Sequence, residues 1–217
     1  MIIHNFESKN SLLNQFISEI RDETVQKDMM RFRRNIERVG EVIGYELSKS
    51  LDYQEKEVRT PLGRKILAVP KDEIVLCAVL RAGLPLHQGL LNYFDTAENA
   101  FISAFRSHKD NSDAFEVIVN YLASPTIKDK TLVLIDPMLA TGKTLENVRK
   151  ALKDYGEPKQ IHIVSVIGSK EGVDFIGSIF PKNTQLWIAA IDETLNAKGY
   201  IVPGLGDAGD LAYGLKC

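Results

Sequence analysis

Between residues 74 and 191 the chain carries five short apolar runs, at 74–80, 100–105, 131–135, 161–167 and 185–191. Each is rich in β-branched residues and bounded by Gly, Pro or polar clusters. Helical stretches separate several of them. Residues 144–155 place Leu145, Val148 and Leu152 on one face, and 171–180 place Val173, Ile176 and Ile179 on one face. A run that is apolar at successive positions has no side for water, so both faces of its sheet must be covered. Strands alternating with helices give that cover through parallel crossovers. The expectation is an α/β fold with a doubly wound, mostly parallel sheet.

The N-terminal third is patterned differently. Leu12, Phe16 and Ile20 repeat every four residues, and then Val25, Met29, Phe32, Ile36, Val39, Ile43 and Leu47 recur at spacings of three and four. This predicts helix over 11–50, with Arg31, Arg33, Arg34, Glu37, Arg38 and Glu41 off the apolar face. Residues 55–69 read as a β-hairpin about Thr60-Pro61-Leu62-Gly63, a turn composition. Residues 106–124 break the strand–helix alternation with a polar stretch followed by a strand-like run at 115–122, and read as a flexible flap. The expected organisation is a single domain over 1–217, with 1–70 as a helical and hairpin addition.

Composition narrows the classes of partner. The formal net charge of −2 and the absence of a basic run argue against nucleic acid. No apolar run approaches the roughly 20 residues of a membrane span, and the N-terminus has no signal-peptide pattern. A cytoplasmic protein without membrane partners is expected. Cys77 and Cys217 have no metal-ligand spacing and are not expected to pair. His4, His87, His108 and His162 are scattered, and none is assigned a catalytic role.

The sharpest local signal follows the run at 131–135. Asp136-Pro137-Met138-Leu139-Ala140-Thr141-Gly142-Lys143-Thr144 leads from a strand, through an acid and a Thr-Gly-x-Thr turn, into an amphipathic helix. Free N–H groups and the dipole at a helix start favour a phosphate. Gly142 allows close backbone approach. Thr141 and Thr144 can add hydroxyl donors, and Asp136 can accept hydrogen bonds from paired sugar hydroxyls. Gly-Lys-Thr also ends a Walker A loop, but Pro137 stands at its first glycine and an acid precedes it, which weakens a nucleotide-hydrolase reading. A plain strand–helix connection is the remaining alternative.

A second signal closes the chain. Four glycines fall within residues 199–209, in Gly199-Tyr200-Ile201-Val202-Pro203-Gly204-Leu205-Gly206-Asp207-Ala208-Gly209. The Gly-x-Gly-x-x-Gly at 204–209 is not a dinucleotide fingerprint, because only eight residues follow Gly209. It reads instead as a backbone wall for a flat ring. Exposed main-chain donors and acceptors discriminate strongly, since a mismatched ring leaves them unpaired.

Residues 136–142 and 199–210, with Leu80-Arg81-Ala82-Gly83-Leu84-Pro85 and Ala104-Phe105-Arg106, closely resemble uracil phosphoribosyltransferases of the type I phosphoribosyltransferase group, and the likeness runs from about Phe32 to the C-terminus. The resemblance implies transfer from phosphoribosyl pyrophosphate (PRPP) to uracil in pyrimidine salvage, giving UMP and pyrophosphate. It implies PRPP binding by Arg81, Arg106, Asp136, Pro137, Met138, Leu139, Ala140, Thr141, Gly142, Lys143, Thr144 and Asp207. Ile201, Gly206, Asp207 and Ala208 would hold uracil. Arg81 and Asp207 would act electrostatically, with no covalent nucleophile. Mg²⁺ would arrive with PRPP without an assigned protein ligand, and GTP, an activator of some relatives, is a possible effector. A homodimer or larger homo-oligomer is expected. Two departures stand out: Lys143-Thr144 in place of the usual Gly-Ser, and Leu211-Ala212-Tyr213 in place of a charged residue and a phenylalanine. The first bears on loop geometry and keeps open a non-catalytic PRPP- or nucleotide-sensing regulator. Transfer to another base is the other alternative.

Overall fold

A computed structural model describes the backbone of residues 1–108 and 115–216, and their side chains except at 104–119. In chain order the elements are β1 (Ile2–Asn5), α1 (Leu12–Arg21), α2 (Met29–Ser48), β2 (Tyr53–Thr60), β3 (Gly63–Pro70), β4 (Ile74–Leu80), α3 (Gly83–Leu91), β5 (Glu98–His108) and β6 (Phe115–Ala123). There follow β7 (Thr131–Ile135), β8 (Met138–Leu139), α4 (Lys143–Ala151), β9 (Gln160–Ser169), α5 (Lys170–Ile179), β10 (Gln185–Asp192), β11 (Thr194–Leu195), β12 (Ile201–Val202) and α6 (Ala208–Tyr213).

The main sheet runs β1-β10-β9-β7-β4-β5-β6, with β8 also paired to β9. Every pairing is parallel except β5 with β6. The period-two alternation of a strand sorts its residues between two cores. Ile74 and Leu76 of β4 face the layer that includes Phe32, Ile36, Leu86 and Leu90. Val75, Cys77 and Val79 face the layer of Leu145, Val148, Val173 and Ile176. Helices α2 and α3 thus cover one side and α4 and α5 the other, which is why the strands read as unbroken apolar runs.

The helix expected over 11–50 is two helices. Asp22 leaves the helical region at φ −68°, ψ 116°, and its carboxylate accepts from the Thr24 N–H and hydroxyl. The Gln26 side-chain amide caps the Ile20 and Arg21 carbonyls, and Asp28 then N-caps α2 through the Arg31 N–H. These short polar side chains offer the backbone bonds that compete with helix continuation. The expected apolar face of α1 is corrected at one position: Leu13 is buried in place of Leu12, which is exposed, while Ile20 is buried as expected. Helix 144–155 shortens to α4, followed by a 3₁₀ turn at Leu152–Tyr155.

Strand β1 carried no sequence signal. It is four residues long, and His4 holds it in place by stacking on Trp187 with ring centroids 3.7 Å apart. The β2–β3 hairpin forms its own two-stranded sheet, paired from Tyr53↔Pro70 to Thr60↔Gly63. The tip of the expected flap, 109–114, lies outside the described residues, and β5 and β6 form an antiparallel pair on either side of it.

From β4 the chain proceeds outward to β5 and β6, then returns to β7 on the opposite side of β4. The carboxyl ends of β4 and β7 therefore flank a topological switch point, where open α/β sheets bind ligands. Arg81 follows β4 directly and Asp136 follows β7 directly.

Candidate active site

The loop after β7 is anchored through its main chain on the side away from the crevice. The Pro137 carbonyl accepts from the N–H groups of Val166 and Ile167, and the Asp136 N–H donates to Val164. Met138 and Leu139 pair with Ile167 and Gly168 as β8. The Ser169 hydroxyl donates to the Ala140 carbonyl at 2.7 Å while accepting from the Gly172 N–H at 2.9 Å. Gly142, at φ +75°, turns the chain into α4 and supplies no side-chain cap, while the Lys143 N–H donates to Thr141 Oγ1 at 3.5 Å; a helix start of this kind favours an anion. Lys143 occupies the first position of α4 and does not share the positive φ, so a lysine there leaves the turn undisturbed.

The terminal segment is folded as tightly. β11 and β12 pair as a small antiparallel ribbon closed by Asn196, whose side-chain oxygen accepts from the N–H groups of Lys198 and Tyr200. The Val202–Pro203 peptide is cis, and Gly204 follows at φ +62°. Asp207 then N-caps α6, accepting from Gly209 N–H at 2.8 Å and Asp210 N–H at 3.0 Å. The glycine-rich end thus closes in a helix of six residues rather than a loop. Burial opposes ionisation of the Asp207 carboxyl. The Asp210 N–H, the Lys216 ammonium and the Gly209 N–H outweigh it, and hold the group below the ordinary carboxylate range. The altered residues 211–213 find partners of their own: Ala212 is buried, its carbonyl accepts from Arg33, and the Arg33 guanidinium lies 5.8 Å from the Tyr213 ring centre.

These two segments meet. A cleft of roughly 640 Å³ lies at the carboxyl ends of β4 and β7. Arg81, Asp136, Met138, Ala140 and Thr144 line one part of it, and Ile201, Gly206, Asp207 and Ala208 another. Arg81 bridges the two, donating to Asp210 Oδ1 at 2.7 Å and to the Gly214 carbonyl at 3.2 Å. The volume is within the range of small-molecule sites.

Pro137, Leu139, Thr141, Gly142 and Lys143 do not line the cleft. Pro137, Leu139 and Gly142 are buried behind the loop, and Lys143 is exposed at the helix start. The backbone of Arg106 lies in β5, opposite Val117, and its side chain lies outside the described residues. The sequence reading did not assign Ser103, Gly199, Tyr200, Gly209 or Lys216, all of which line the cleft. Lys216 carried no local signal. Gly214, at φ +89°, turns the tail after α6, and the Lys216 ammonium comes 3.2 Å from Asp207 Oδ2. Among the described residues no cluster of three or more His, Cys, Asp or Glu side chains is arranged to hold a metal ion.

The family model of uracil phosphoribosyltransferase matches residues 7–214. A uracil phosphoribosyltransferase of Porphyromonas gingivalis is 56% identical over 215 residues, covering 99% of both chains. One from Thermococcus gammatolerans is 40% identical, covering 98% of this chain and 93% of its own. A solved protein structure from Aquifex aeolicus superposes with a TM-score of 0.87 at 32% identity, covering 99% of each chain.

Proposed function

Because the chain belongs to the uracil phosphoribosyltransferase family, we propose that the cleft between the loop after β7 and the glycine-rich end is where its reaction takes place. The chain transfers the ribose 5-phosphate group of PRPP to uracil, making UMP and releasing pyrophosphate. Membership sets aside the Walker A reading of Gly142-Lys143-Thr144. One observation carries the assignment of the site: two segments far apart in sequence, one built for an anion and one for a flat polar ring, line the same cleft.

In this reading the 5′-phosphate sits on the N–H groups at 140–144, helped by the hydroxyl of Thr144, which lines the cleft, and the ribose hydroxyls meet Asp136. Pyrophosphate lies toward Arg81 and Arg106, whose planar, permanently charged forks suit it. Uracil lies by Ile201, its edge read by main-chain groups at 206–208. The C1′–O bond to pyrophosphate breaks ahead of bond formation by uracil N1, and its electron pair leaves on the pyrophosphate oxygen. The N1 proton passes to the departing pyrophosphate as the nucleotide forms. Positioning of the partners and neutralisation of the departing anion supply the acceleration.

The donor set of the cleft fits Mg²⁺ brought by the substrate: the carboxylates of Asp136 and Asp207 line it without forming a protein cage, and would meet the ion through its bound water. Mg²⁺ offsets charge on the pyrophosphate when bound. Arg81 orients that leaving group, and Asp207 holds the start of α6 in place. The finer proposals are that residues 1–217 act as one domain with 1–70 as an addition, that the β5–β6 arm closes to exclude water, that the protein is a cytoplasmic homodimer or larger, and that GTP is an activator.

Incubation with Mg-PRPP and labelled uracil, cytosine, hypoxanthine or orotate tests the function. Labelled UMP from uracil is the expected product. A nucleotide formed mainly from another base, or none with any base, would overturn it.

A further inference from the structure

Outside the cleft, a closely knit polar group with a buried carboxylate lies directly behind the glycine-rich wall. The Arg21 guanidinium, at the end of α1, binds Asp192 by two parallel bonds: Nη1 to Oδ2 at 2.8 Å and Nη2 to Oδ1 at 3.0 Å. The same Nη1 donates to the Gly204 carbonyl at 3.0 Å, and Asp192 Oδ2 accepts from the Gly204 N–H at 3.1 Å. Gly204 is thus held at both its N–H and its C=O by one ion pair. Asp192 is 7% exposed and Arg21 20%, so water competes little for these bonds.

Gly204 is the residue at which the chain turns toward the wall. It has φ +62°, and a Cβ there would come 2.1 Å from the Ile201 carbonyl oxygen. Two residues later begins the stretch whose main-chain groups face the cleft. A wall that reads a ring by backbone groups needs them held to a fraction of an ångström. A glycine-rich segment does not hold itself that well.

We propose that Arg21 is a positioning residue for uracil recognition: clamped by Asp192, its guanidinium fixes the Gly204 peptide and so sets the orientation of the main-chain groups at 206–208. The inference rests on the assignment of those groups to uracil. It sets α1, remote from the cleft in sequence, as part of the specificity apparatus. Lysine cannot replace the fork, because a single ammonium lacks the planar array that meets a carboxylate bidentately and a carbonyl at once.

Steady-state kinetics of Arg21→Lys decides it, with the wild-type rate of UMP formation as the check on the assigned activity. Arg31→Lys, which weakens the exposed Arg31–Glu19 pair, is the control. In Arg21→Lys the KM for uracil rises about tenfold, the KM for PRPP stays within about twofold, and the thermal midpoint falls below that of the control, as weakening a buried pair requires. An unchanged uracil KM in Arg21→Lys, where the wild type makes UMP, overturns this proposal and leaves the assigned activity standing. Parallel rises in both KM values also overturn it, because they mark a merely structural pair. If Arg21→Lys does not fold, Asp192→Asn, which keeps an acceptor for the Gly204 N–H, replaces it with the same expected split. Failure of both to fold assigns the pair to stability and rejects the positioning role.

Discussion

Replacing Gly142 by alanine should damage PRPP binding selectively. Its φ of +75° is a region where an L-residue costs roughly 1–2 kcal/mol. The new Cβ would lie 2.8 Å from Phe175 Cδ1, 2.9 Å from Ile176 Cγ2 and 3.3 Å from the Gly172 carbonyl. Ile176 is fully buried, so it cannot swing away without opening the core. Forcing a methyl group into such a site costs roughly 1–3 kcal/mol. Unrelaxed, the two effects reach about 2–5 kcal/mol, and the thermal midpoint falls on the order of 10 °C. Any relaxation moves the start of α4, where the 5′-phosphate is proposed to sit. Melting curves with and without Mg-PRPP separate the effects. Wild type at a hundredfold excess over Kd gains about 2.7 kcal/mol, and the variant should lose most of that gain. Its KM for PRPP should rise at least about tenfold, with the KM for uracil at saturating PRPP nearly unchanged. A variant that melts lower but keeps the wild-type PRPP KM and ligand-induced shift would refute the placement of the phosphate.

Arg81→Ala should lower kcat/KM by about 10²–10³, with a thermal midpoint within about 2 °C of wild type, because its Asp210 and Gly214 partners lie at the partly exposed cleft edge. Near-normal turnover would remove Arg81 from the mechanism. His162 should make the fold acid-sensitive. Burial, reinforced by His4 and opposed by Asp72, lowers its pKa from 6.5 to about 4. The Trp187 indole N–H donates to its Nδ1 at 3.0 Å, which requires that nitrogen to be unprotonated. The unfolded chain therefore takes up the proton first, and stability present above pH 6.5 is lost as the pH falls toward 4, by up to about 3 kcal/mol. Denaturant titrations of His162→Gln should show a flatter acid limb, and an unchanged limb would contradict this. Burial pushes the Cys77 thiol up to about 12, so Cys77 should resist iodoacetamide at pH 8.5 until the chain unfolds. Peptide mapping that finds native Cys77 alkylated would contradict it.

The parallel strands were legible because both faces of the sheet are covered, which leaves unbroken apolar runs in the sequence. The break between α1 and α2 was not, because its one periodic trace is the five-residue step from Ile20 to Val25 between two regular sets, while Asp22, Gln26 and Asp28 turn the backbone by side-chain bonds that periodicity does not register. Strand β1, paired with β10 over four residues and stacked through His4 on Trp187, was too short to read. Within the candidate site, the loop after β7 and the glycine-rich end each carried a local chemical signal. Their meeting is a consequence of strand order, with β4 and β7 adjacent. Lys216 and Arg21 were invisible for the same reason: each acquires its partner only through the tertiary path, one by reversal of the chain after α6 and the other across the α1–Gly204 contact.

A crystal structure of the protein with UMP bound tests the central claim most directly. The account predicts the phosphate within hydrogen-bonding distance of main-chain N–H groups at 140–144, the ribose hydroxyls at Asp136, and the pyrimidine edge against 206–208. A nucleotide bound with either its phosphate or its ring outside the cleft between these two segments would contradict it.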